Sequence, residues 1–121
     1  MSEEVAKIKY KVELDNIYCS INVEINDDEN TKQMMDMCNK FWSGHQQRLD
    51  DENGDITATF LKLLCGTALT VQKAGDYNLY GVVQEFNDME GWCRLDGSEG
   101  IKLTSIDGLT YTDEPMTINK L

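Results

Sequence analysis

The sequence predicts an α+β fold: a β-hairpin, three helices, then a second β-hairpin, forming an antiparallel sheet with helices on one face. Three observations carry this prediction. Apolar and polar residues alternate over residues 6–25, helical spacing takes over in the middle of the chain, and a strand pattern returns at Ile101. Runs of strands flanking a run of helices favour an antiparallel sheet with its helices segregated to one side. With 121 residues, one proline and no Gly/Ser-rich linker or repeat, the chain reads as one domain, 1–121. A chain of this length buries roughly two thirds of its unfolded surface and needs no disulfide or metal to fold.

In the first hairpin, Ile8, Tyr10, Val12 and Leu14 alternate with Lys7, Lys9, Lys11 and Glu13. Ile17, Cys19, Ile21, Val23 and Ile25 then alternate with Tyr18, Ser20, Asn22 and Glu24. Period two gives each strand one buried face. A two-residue turn at Asp15-Asn16 suits these residue types. It sets Leu14 against Ile17, Val12 against Cys19, Tyr10 against Ile21 and Ile8 against Val23, with Lys7 meeting Glu24 on the wet face. The row Lys7, Lys9, Lys11 reads as an edge strand that lysine keeps soluble and unpaired.

A first helix is expected from Thr31 to Leu49, capped by Asn30, with Asp27, Asp28 and Glu29 near its positive end. Met34, Cys38, Phe41, Trp42, His45 and Leu49 form its apolar side, and Ser43-Gly44 is a place for it to kink or break. Trp42 is therefore expected in the core. Asp55 can cap a second helix running to Lys73 and ended by Gly75. Its apolar set, from Ile56 to Val71, is wide enough for burial on two sides, which makes it the central helix. A short third helix fits Asn78 to Phe86. Residues 87–100 lose the helical period and read as loop. Ile101 to Ile106 reads as a strand, Asp107-Gly108 as a turn and Leu109 to Thr112 as the returning strand.

Motif searches exclude the common catalytic and metal sites. Placing Gly54 at the sixth position of an EF-hand loop puts Leu49 first and Phe60 twelfth, where calcium requires oxygen. The single histidine, His45, has no orienting partner in the sequence, and a two-histidine zinc motif is impossible. Cys19, Cys38, Cys65 and Cys93 lack the short spacing of zinc ligands and read as reduced thiols, three of them in apolar surroundings. Gly91, Gly97 and Gly100 do not stand between a strand and a helix, so they make no phosphate cradle. No enzyme, cofactor or metal is expected.

Charge is the remaining signal. Twenty-two acidic against 11 basic side chains give a net charge of −11. That opposes direct binding to nucleic acid or anionic membrane, whose phosphates need Lys and Arg. The acids are patchy. Residues 13–36 hold seven acids and one lysine, and residues 76–114 hold nine acids and two basic residues. Such patches can meet a basic cleft on a partner, imitate the phosphate ladder of DNA, or only keep the protein soluble. The start Met1-Ser2-Glu3-Glu4 has no basic region and no apolar run, so no signal peptide is expected. No stretch approaches a membrane span of about 20 apolar residues.

Phe41-Trp42-Ser43-Gly44, Arg48-Leu49, Leu61-Lys62-Leu63-Leu64, Glu90-Gly91-Trp92 and Leu95-Asp96-Gly97-Ser98-Glu99-Gly100-Ile101-Lys102 resemble a domain-of-unknown-function family carried by bacteriophages and prophages. The resemblance runs from the first hairpin to about Met116. It implies a phage-type accessory protein acting in the cytoplasm of a bacterial host, and it brings no catalytic residues. The expectation is a non-enzymatic protein that inhibits a host nucleic-acid-handling complex, of CRISPR or restriction type, by presenting carboxylates to its basic groove. The partner-binding residues expected are Asp27, Asp28, Glu29, Asp50, Asp51, Glu52, Asp88, Glu90, Asp96 and Glu99, with Trp92, expected to be partly exposed, as a hot spot if it stands clear beside acids. The alternative is a structural or regulatory phage protein, oligomeric or not, whose acidity serves solubility alone.

Overall fold

The alternating residues of the first hairpin form β1 (Lys7–Leu14) and β2 (Ser20–Asn26). These belong to a computed structural model that describes residues 6–15, 19–107 and 116–121. The remaining elements are α1 (Glu29–Phe41), α2 (His45–Asp51), α3 (Ile56–Gly75), α4 (Leu79–Asn87), β3 (Ile101–Asp107) and β4 (Met116–Lys120). The four strands make one antiparallel sheet in the order β3-β2-β1-β4. The expected fold class is therefore the observed one, with differences in how its pieces connect.

The hairpin register differs from the expected one by two residues. Tyr10 pairs with Val23, Val12 with Ile21 and Lys9 with Glu24. The Leu14 amide donates to the Cys19 carbonyl at 2.9 Å, so the connection spans residues 15–18 rather than the dipeptide Asp15-Asn16. A slip of two residues leaves every side chain on its own face, so the hydrophobic pattern cannot detect it. Ile17 and Tyr18 lie outside the described residues.

The first strand of the expected second hairpin is borne out as β3. The hairpin's return strand, Leu109 to Thr112, and its turn residue Gly108 lie outside the described residues. The strand that follows, β4, pairs with β1, while β3 pairs with β2. Each open edge of the first hairpin thus gains its own partner, which satisfies backbone groups on both sides. The lysine row consequently stands on a central strand rather than an edge.

One face of the sheet is apolar and covered by helices. Val12, Leu14, Ile21, Val23, Ile25, Ile101 and Leu103 join Phe60, Leu61, Leu64, Cys65, Ala68 and Leu69 of α3, Met35 and Cys38 of α1, and Val82 and Phe86 of α4 in one buried cluster. α3 is the central helix, as its wide apolar set requires. Asp55 caps it, accepting from the Ala58 amide at 3.1 Å, and Asp76 ends it in the left-handed region at φ 52°. Asn78 caps α4 through the Gly81 amide at 2.9 Å.

The expected long first helix is two helices. Asp28, not Asn30, caps α1, accepting from the Thr31 amide at 2.8 Å. Trp42 is extended and Gly44 left-handed at φ 82°, so the chain turns before α2 begins. This break explains why Trp42 is 36% exposed rather than in the core. The face of α1 that is actually buried carries Thr31, Met35, Cys38 and Asn39.

Candidate functional site

The corner between α1 and α2 is held by Arg48. Its guanidinium donates to the Asn39 side-chain oxygen at 2.8 Å, the Ser43 carbonyl at 2.8 Å, the Asn39 carbonyl at 2.9 Å and the Trp42 carbonyl at 3.1 Å. These carbonyls end α1, where helical partners run out and positive charge is favoured. The Asn39 amide in turn donates to the His45 carbonyl at 3.2 Å. The histidine side chain is half-buried and makes no hydrogen bond with a described residue. Among the described residues, no side chain stands as the orienting partner of His45 that nucleophilic catalysis requires.

That corner presents an aromatic surface. Met37 is 66% exposed and Phe41 is 53% exposed, one helical turn apart on α1. Phe41 lies against Gly91, where any β-carbon would strike its ring, and Gly91 itself has φ 82°. The Phe41 ring meets Trp42 edge-on at 4.9 Å, and Trp42 stands 6.4 Å from Trp92. Trp92 is half-buried, packed against Phe60 at 5.9 Å and Phe86 at 5.4 Å. Its indole nitrogen is buried and has no hydrogen-bond partner among the described residues. Trp92 therefore covers the core, and the more exposed aromatic rings beside it are those of Phe41 and Trp42.

The structure divides the expected acidic residues into two groups. Six are engaged locally. Asp28 caps α1, and its hydrogen bonds with Thr31 hold its carboxyl below the usual carboxylate range. Asp96 is lowered in the same way by Ser98, whose hydroxyl donates to it at 2.6 Å. Glu99 accepts from the Arg94 amide at 2.7 Å. Asp50 and Asp51 accept from Gln46 at 2.9 Å and Gln47 at 2.8 Å, and Glu52 pairs with Lys62 at 3.0 Å. The other four, Asp27, Glu29, Asp88 and Glu90, are exposed, and their side chains make no hydrogen bond or ion pair with a described residue.

Placement adds to this division. Gly100, at φ 94°, packs so closely on Thr31 that a β-carbon there would meet its hydroxyl. The Asp96–Gly100 turn is thereby brought against the start of α1, beside Asp27, Asp28 and Glu29, although some seventy residues separate the two in sequence. Glu90 neighbours the Gly91 on which Phe41 rests, at the other end of α1. Asp50, Asp51 and Glu52 belong to the α2 corner, where Asp51 and Glu52 line an open groove of about 740 Å³ with Lys62, Thr67 and Met89. In that groove Lys62 is already neutralised by Glu52.

The four cysteines are all buried and form no disulfide. The Cys93 thiol donates to Cys38, which lowers the Cys38 pKa and raises that of Cys93. Burial, with Cys19 nearby, pushes Cys65 up to about 12. Among the described residues, no three His, Cys, Asp or Glu side chains are grouped to hold a metal ion. No single described helix is long and apolar enough to cross a membrane.

Residues 20–118 match the family described as Protein of unknown function (DUF2528). The chain belongs to the DUF2528 family. Two curated relatives of this DUF2528 chain are the Lambda prophage-derived protein ea10 of Escherichia coli O6:H1 strain CFT073 and the Protein ea10 of Escherichia phage lambda. Each is 41% identical over 106 residues, which cover 82% of this chain and 85% of the relative. Both are phage or prophage proteins by name, as the sequence resemblance implied, and neither name states an enzymatic activity. No solved structure matches the chain. Several motifs that carry the DUF2528 resemblance meet in space. Phe41 and Trp42 rest beside Gly91 and Trp92, and Arg48 ties Trp42 and Ser43 to the corner.

Proposed function

We propose that this DUF2528 protein is a non-enzymatic binding protein of phage type that docks on a basic surface of a host protein. The observation that carries this reading is the set of four exposed carboxylates, Asp27, Glu29, Asp88 and Glu90, that no described residue engages, on a chain of net charge −11. A carboxylate without an internal partner is available to a cation on another molecule, and such complementarity accelerates encounter and sets specificity. Host proteins with large basic surfaces are chiefly those that grip nucleic acid. A nucleic-acid-handling effector of CRISPR or restriction type is the target class proposed, with carboxylates standing where phosphates would lie. Binding of the chain itself to nucleic acid is not part of the proposal.

Six acids that serve the fold favour a second reading, in which acidity gives solubility to a structural or regulatory phage protein. Tagged protein and a variant carrying Asp27→Asn, Glu29→Gln, Asp88→Asn and Glu90→Gln separate the two in pull-downs from Escherichia coli lysate. The expected result is a basic, nucleic-acid-binding host protein held at low salt, released as salt rises and lost with the variant. Equal retention by the variant, retention past 1 M salt, or direct binding of the chain to DNA overturns the proposal. A homo-oligomer in sedimentation that buries these acids supports the second reading.

A further inference from the structure

We propose that Met37, Phe41 and Trp42 form the apolar anchor of this interface, seating in an apolar pocket ringed by Lys or Arg on the host protein. The inference rests on the reading above and adds the part of the surface that makes close contact.

Scattered exposed apolar residues are normal, and Tyr80 and Leu121 are of that kind here. The trio differs because it is contiguous. Met37 and Phe41 share one stripe of α1, and Phe41 touches Trp42 ring to ring. The patch is also rigid. Gly91 leaves room for the Phe41 ring, Trp42 braces its edge, and Arg48 fixes the backbone carbonyl of Trp42. Aromatic side chains already held in place lose little entropy on binding, which is the property of interface hot spots.

Charge and area together identify the occupant. The same four acids lie toward the two ends of α1: Asp27 and Glu29 stand at its start, and Asp88 and Glu90 precede Gly91, on which Phe41 rests at its other end. Of the α1 cations, Lys40 is paired with Asp36 at 2.9 Å, which leaves Lys32 as the one that opposes a basic partner. The trio exposes on the order of 300 Å², far below the roughly 800 Å² per partner of a stable interface. A second copy docked through this patch would bring two chains of net charge −11 together over too little area. A basic partner extends the same contact through the flanking carboxylates.

Photo-crosslinking tests this. p-Benzoylphenylalanine is placed at Phe41 and, as a control, at Tyr80 in full-length protein expressed in Escherichia coli, and crosslinked peptides are sequenced. The expected product at Phe41 is a peptide of a basic host protein with apolar residues beside at least two Lys or Arg, absent from the Tyr80 sample. A Met37→Gln/Phe41→Gln variant with an unchanged unfolding transition should bind that purified host protein at least tenfold more weakly, and the acid-neutralised variant should also lose it. Loss with the acid variant but not with Met37→Gln/Phe41→Gln overturns the anchor and spares the electrostatic reading. No loss with either overturns both. A crosslink to another copy of this chain, equal crosslinking from Tyr80, or no crosslink at Phe41 also overturns the anchor.

Discussion

Replacing Arg48 by methionine should destabilise the fold by about 3 kcal/mol. The substitution keeps an aliphatic stem and removes a guanidinium that makes four hydrogen bonds. The two bonds to Asn39 are partly buried and contribute about 1 kcal/mol each, whereas the exposed ones to Ser43 and Trp42 add only a few tenths. Asn39 is 1% exposed, so its side-chain oxygen is left buried without this donor, at a further cost of about 1 kcal/mol. With about 2.1 cal/mol/K of unfolding entropy per residue, 3 kcal/mol corresponds to a Tm lowered by roughly 10 °C. Urea unfolding followed by fluorescence of Trp42 and Trp92 measures the change directly. Lysine at position 48 should recover only part of the loss, because a single ammonium cannot reach all four acceptors. A cost below about 0.5 kcal/mol for the methionine variant would show that packing, not Arg48, holds the α1–α2 corner.

Gly100→Ala should lose about 2–4 kcal/mol in the same assay, since a left-handed backbone and a contact with the Thr31 hydroxyl oppose the new methyl; a neutral result would place the turn elsewhere. Native protein at pH 8 should react with thiol reagents only as fast as it unfolds, because all four cysteines are buried and Cys65 is pushed up to about 12; rapid labelling of one thiol refutes this. Stability should be level near neutrality and fall at both extremes. Asp28 and Asp96 are lowered from 3.8, so what they contribute is present above that value and is lost as pH falls through their folded pKa values. Cys65 and Tyr10 are raised from 9.0 and 10.0, so what they contribute is present below those values and is lost as pH climbs above them. Chemical denaturation across pH 2–11 checks both limbs, and a midpoint that does not change below pH 4 contradicts the first.

Local chemistry was legible in the sequence. Alternation named the buried face of each strand in the first hairpin, and Asp55 was readable as a cap because a cap depends on a few neighbouring residues. The absence of oxygen ligands at Leu49 and Phe60 was equally plain, and Phe60 proves fully buried in the core. The net charge and the phage-type motifs were likewise properties of the chain alone. Tertiary structure decided the rest. A two-residue register slip leaves the pattern unchanged, and nothing local states that β3 and β4 take opposite edges of the first hairpin. The break at Gly44 left Trp42 at the surface, and the face that α1 buries, through Met35, Cys38 and Asn39, left Phe41 there as well. Which carboxylates remain available also depends on partners distant in sequence, such as Lys62 for Glu52. Sequence periodicity specifies which face is apolar, whereas contacts between remote segments determine what that face meets.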